Sequence, residues 1–222
     1  MGQAFLPIII YYVISNGVVL GGFSVIQMAE DFFGGIEGNI QFYARTFIKM
    51  AGMALGGLAV YPYLKKENYY EEAAKLSPLD VVALIFSGAV LSLGVNYIFF
   101  ITGMIQNSET YQQVAEAQFA LPLWLACIFY GILSPVVEET LFRGIVYRAL
   151  CRNTTKTMGM IGSALLFGAF HGNIVQMMYA SLMGGVLAYV YQKYGKLWAP
   201  VLFHGAANVA IYLVTVFLSF DV

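Results

Sequence analysis

The chain has 222 residues, 60% of them hydrophobic and 10% charged, with a formal net charge of −1 and a mean hydropathy of +0.74. That composition excludes a soluble globular domain. The near-neutral charge excludes a nucleic-acid binder, which needs a basic field. The apolar runs are continuous and lack the strict alternation of barrel strands, so the fold class expected is an all-α, polytopic transmembrane bundle.

At about 20 apolar residues per span, the chain has room for about seven helices, between six and eight, in one integral-membrane domain over 1–222. The first run, 4–26, reads as a retained span. No Lys or Arg precedes Arg45, and the run is longer than a signal-peptide core. Further spans are expected near 43–64, 79–105, 121–147, 158–171, 174–192 and 197–220. The run at 158–171 is short, and mismatch with lipid places it inside the bundle, sharing a tight bend at Gly172-Asn173 with the next helix. Gly17/Gly21, Gly52/Gly56 and Gly168/Gly172 are small residues four apart, the spacing of close helix contacts within a membrane protein. The stretch from Glu67 to Leu76, with Tyr69 and Tyr70, reads equally as an interfacial helix or a solvated loop. No disulfide is expected between Cys127, in an apolar run, and Cys151, beside a basic loop.

Loop charges orient the bundle. The loops at 65–78, 148–157 and 193–196 hold Lys65, Lys66, Lys75, Arg148, Arg152, Lys156, Lys193 and Lys196. Those at 27–42 and 106–120 hold no Lys or Arg. The positive-inside rule then puts the first set and the N-terminus in the cytoplasm.

Three spans carry polar pairs four residues apart: Glu139 with Arg143, next to Glu138; Phe167 with His171; and His204 with Asn208. Residues i and i+4 share a helix face, whereas Glu138 points about 100° away from Glu139. Glu139 and Arg143 should therefore pair and cancel two charges that neither could carry alone in a bilayer, leaving Glu138 as a candidate general base. Pro135 predicts a kink or local widening just before the acids. Counted at about 1.5 Å per residue from the expected cytoplasmic ends, Glu138 lies roughly 14 Å deep, His204 about 10 Å, Asn208 about 16 Å and His171 about 20 Å. These depths are compatible with one cavity.

The chemistry follows from the residue types. The chain lacks a His-x-x-x-His pair, so zinc is not favoured, although Glu138, His171 and His204 remain open as a ligand set. A serine nucleophile is weaker still, because Ser134, Ser163 and Ser181 lie in no nucleophile-elbow motif. Activation of water by Glu138 with His171, and stabilisation of a tetrahedral oxyanion by His204 with Asn208, uses every polar group and needs no metal or other cofactor. That chemistry is peptide hydrolysis. A proton-coupled transporter is the rival from intramembrane Glu and His, but no inverted repeat or paired broken helix supports it.

In this order on successive spans, Glu-Glu-x-x-x-Arg, Phe-x-x-x-His and His-x-x-x-Asn resemble the signature of the CAAX protease and bacteriocin-processing (Abi) family of intramembrane glutamate proteases. The motifs cover about 121–220, the expected catalytic core; the spans within 1–120 match only in hydrophobicity. The resemblance implies that Glu138 is the catalytic glutamate, His171 its partner at water, and His204 with Asn208 the oxyanion site. Glu139 and Arg143 would orient the glutamate, and Phe167 completes the motif. It further implies a membrane-associated peptide or protein substrate, prenylated in the eukaryotic members, and a place in a bacterial plasma membrane with the cavity toward the cytoplasm. Some relatives serve as scaffolds or in bacteriocin self-immunity, which is the alternative reading.

Overall fold

The computed structural model describes residues 2–66 and 75–218. Among them the chain forms eight helices and no strand: α1 (Gly2–Phe33), α2 (Gly38–Lys66), α3 (Pro78–Ile101), α4 (Glu109–Phe119), α5 (Leu123–Cys151), α6 (Lys156–Ala169), α7 (Ile174–Tyr194) and α8 (Trp198–Leu218). The interfacial-helix alternative at Glu67–Leu76 falls largely outside the described residues. Cys127 and Cys151 form no disulfide.

Six of these helices, α1, α2, α3, α5, α7 and α8, are long and apolar enough to cross a membrane. The seventh expected span is the correction. α6 has 14 residues, about 21 Å of helix, which falls short of a hydrocarbon core of about 30 Å. It stops because Gly172 takes φ 77°, a left-handed conformation that ends the run, and Asn173 then caps α7 by accepting from the Gln176 N–H at 2.8 Å. The bend at Gly172-Asn173 thus exists, and it places His171 on the short connection between α6 and α7.

Two expected loops are also shorter than the hydropathy suggests. α1 and α2 continue past their apolar cores, so only 34–37 joins them, and 106–120 contains α4. α4 starts at Ser108, whose side chain accepts from the Tyr111 N–H.

The outer helices show large side chains to the surroundings, as lipid-facing helices must: Leu20 is 68% exposed and Phe86 69%. α5 is the opposite case. From Leu141 to Tyr147 every residue is buried, so α5 is the central post of the bundle. It is also irregular, with π-helical stretches at Cys127–Leu133 and Thr140–Tyr147 on either side of a regular turn, Ser134–Glu139. The first is the widening expected from Pro135. Proline has no N–H to offer the Gly131 carbonyl four residues back, and Gly205 of α8 packs against that carbonyl closely enough to leave no room for a Cβ. The second π stretch has no proline to explain it.

The small-residue pairs divide. Gly52 and Gly56 of α2 abut Ser15 and Tyr11 of α1, and Gly168 of α6 abuts Ser181 of α7. A Cβ at Gly17 or Gly21 would meet open space, and Gly172 is a turn residue rather than a packing one. At Gly205, a Val should force α8 away from α5 and cost about 1–3 kcal/mol by overpacking. The expected outcome is a clearly lower midpoint of heat unfolding in detergent, whereas Gly17→Val should leave the midpoint unchanged.

Candidate active site

The site is built on one buried ion pair. Arg143 and Glu139, both on α5 and both fully buried, meet through Nη1 to Oε1 at 3.2 Å and Nε to Oε2 at 3.1 Å. The second contact is an ion-pair approach set off the hydrogen-bond line, since neither atom has a hydrogen-bond partner by angle. The guanidinium is further held by donation from Nη2 to the Gly184 carbonyl of α7 at 3.0 Å, and it lies over the Phe167 ring of α6 at 4.5 Å. Burial without these partners would strand both charges at a cost of several kcal/mol.

From this pair the polar network runs to α8. His204, 8% exposed, places Nδ1 2.9 Å from Glu139 Oε1. A carboxylate only accepts, so Nδ1 carries the proton and Nε2 is the atom free to exchange one. That Nε2 lies 3.9 Å from Glu138 Oε2. The other oxygen of Glu138 accepts from Ser134 Oγ, one turn earlier on α5, at 2.5 Å. Glu138 is half-buried, while Glu139 is sealed. One acid is therefore structural by position, and its neighbour faces a cavity.

His171 makes the same arrangement from the end of α6. Its Nδ1 lies 2.8 Å from the Phe167 carbonyl, which can only accept, so Nε2 is again the free nitrogen. The Phe167 ring stacks edge-on to both imidazoles, at 4.8 Å to His171 and 5.8 Å to His204. With the guanidinium on the same ring, Phe167 touches all three basic side chains of the site. Asn208 donates through Nδ2 to the Tyr130 carbonyl at 2.9 Å, which leaves one N–H and the amide oxygen uncommitted.

Glu138, His171, His204 and Asn208 all line one cavity of about 290 Å³, together with Ser134 and Phe167. Glu139 and Arg143 lie behind its wall. Among the described residues no group of three or more His, Cys, Asp and Glu is gathered as a metal-ligand set, so Glu138, His171 and His204 do not converge into one. Ser134, weighed in the sequence as a nucleophile, is instead the hydrogen-bond partner of Glu138 one turn away, and α4, expected as part of a loop, supplies a wall of the cavity through Tyr111, Val114, Ala115, Gln118 and Phe119. The spacing of those five on one helix face, after a Ser cap, was the available clue.

The fold and cavity define a multi-pass membrane protein with carboxylate, imidazole and amide groups converging inside its helix bundle. Residues 120–210 match the family described as type II CAAX prenyl endopeptidase Rce1-like. Through this segment the chain is similar to the Rce1-like CAAX prenyl endopeptidases. It is similar to "Putative membrane peptidase YdiL" of Bacillus subtilis, at 26% identity over 170 residues, 76% of this chain and 68% of that one. It also resembles "UPF0177 protein YbdI" of Lactococcus lactis, at 21% identity over 155 residues, 69% of this chain and 82% of that one. No solved structure matches significantly. All three motifs fall inside 120–210.

Arg143→Met should strand Glu139 in the bundle and destabilise it by about 3–5 kcal/mol. Pairing it with Glu139→Gln should return much of the thermal stability in detergent. Equal stability of the single and double variants would contradict the role given to the pair.

Proposed function

We propose that this chain is an intramembrane endopeptidase that hydrolyses a peptide bond of a hydrophobic or membrane-associated substrate with water activated by Glu138. The observation that carries this reading is the convergence of Glu138, His171, His204 and Asn208 on one cavity inside a membrane bundle. The family supports it at the level of a CAAX-type membrane peptidase.

The proposed reaction assigns each group by what its neighbours leave free. Ser134 holds Glu138 Oε1, so Oε2 takes a proton from water, assisted by His171 Nε2. The resulting hydroxide adds to the carbonyl carbon. The oxyanion formed on the carbonyl oxygen is met by the uncommitted N–H of Asn208 and by His204. His204 can donate there only while Nε2 is protonated, the form in which it also pairs with Glu138 across 3.9 Å. When the carbon–nitrogen bond breaks, the proton held at Glu138 passes to the leaving nitrogen, giving a carboxyl and an amine. Glu139 takes no part in proton transfer; it fixes the ring of His204 and is itself neutralised by Arg143.

Every step is supplied by side chains, so the activity is proposed to be independent of metal. The cavity is proposed to open toward the cytoplasm, with the N-terminus on that side. This is supported by the basic residues near the ends of α2, α5 and α7, the last two held at one end of the bundle by donation from Arg148 to the Tyr191 hydroxyl, and by the absence of Lys and Arg from 34–37 and 102–108.

Purified protein in proteoliposomes should cleave a hydrophobic peptide in the presence of a strong chelator, and Glu138→Gln should lower kcat by about 10³-fold or more, with the fold intact by thermal unfolding. Activity that survives in Glu138→Gln, or that chelator abolishes and zinc restores, would sink this mechanism.

A further inference from the structure

The cavity continues past the carboxylate and histidines into a second half walled by α3, α4 and the start of α7. Asn96, Tyr111, Gln118 and Gln176 line that half, alongside apolar groups such as Phe99 and Val175. Asn96 is 8% exposed in the last third of an apolar span, where a buried amide is costly unless its hydrogen-bonding capacity is used. The Tyr111 hydroxyl lies within its reach and can satisfy only part of that capacity. Gln118 sits on the same face of α4, seven residues on. Gln176 commits Oε1 to Asn173, which leaves its NH₂ uncommitted.

The charge of the lining is equally informative. Among the described residues it includes no Lys or Arg, and Glu138 is its one carboxylate. An acidic side chain or a terminal carboxylate in this half would find no counter-ion and would face Glu138. Neutral donors and acceptors between apolar walls instead suit an extended backbone, whose N–H and C=O groups must be paired once they leave water.

We propose that Asn96, Tyr111, Gln118 and Gln176 form a recognition subsite that holds an uncharged stretch of peptide backbone beside the catalytic groups, with α4 as its outer wall. This rests on the peptidase reading. The four are positioning residues: they set which peptide is held and leave the chemical step alone.

The test uses Glu138→Gln protein in proteoliposomes and two pools of short peptides, both N-acetylated and C-terminally amidated. One pool is randomised among uncharged residues, and the other carries a single central Asp. The uncharged pool should be retained about ten-fold better. Tyr111→Phe, and separately Gln118→Ala, should weaken the most enriched peptide about five- to ten-fold, the worth of one hydrogen bond, without moving the unfolding midpoint. In the active protein the same changes should raise KM and leave kcat within about two-fold. Failure to retain either pool, equal retention of both, variants that bind as tightly as their parent, or a kcat loss at constant KM would each overturn the subsite. If the peptides bind as predicted but the protein with Glu138 intact cleaves none of them, the subsite stands and the peptidase reading falls.

Discussion

A fully buried guanidinium and carboxylate, side by side on α5, are the constraint on which the rest of the site depends. In a bilayer neither charge is tolerable alone, so each must be met from outside α5 as well as within it. Arg143 reaches the Gly184 carbonyl of α7 and the ring of Phe167 on α6, and Glu139 reaches His204 on α8. Satisfying one ion pair thus ties four helices together at one depth. The geometry of the reactive groups follows from this: Glu139 fixes His204, which turns its free nitrogen toward Glu138, and Phe167 backs both imidazoles.

Adjacent acids with opposite fates are the economy of the arrangement. Glu139 and Glu138 are consecutive, yet helical rotation sends one into the sealed pair and the other to the cavity. The π-helical stretches on either side bear on this as well. Widened turns interrupt the regular ladder, and their frequent occurrence at functional sites accords with their position flanking Ser134–Glu139. Gly205 against the Gly131 carbonyl couples the first of them to α8, one residue from His204.

Much of this was legible in the residues. Polar pairs four apart in otherwise apolar runs announce a helix face and a buried purpose, so Glu139–Arg143 could be paired, and Glu138 set apart from it, on spacing alone. Pro135 announced the widening at Cys127–Leu133, and Gly172-Asn173 announced the bend. Hydropathy fails where its premise fails. α6 is apolar enough to read as a span but only 14 residues long, and it leaves Met158, Ile161 and Leu165 exposed rather than sitting inside the bundle; α4 is too polar to register as one, although its cap and its inward face were there to read. The π stretch at Thr140–Tyr147 holds no proline to announce it. The placing of His204 between two glutamates is a tertiary contact, and spacing on α8 says nothing about which atom of α5 it will meet.

The central claim is that Glu138 cuts peptide bonds in membranes, rather than shaping a cavity that only binds. Mass spectrometry of peptide termini in membranes from matched cells, producing either the unaltered protein or its Glu138→Gln variant, tests this most directly. The account predicts new termini within or beside hydrophobic segments that appear only when Glu138 is present. Identical sets of termini, with both forms restoring whatever a deletion strain loses, would contradict it and leave a scaffold in its place.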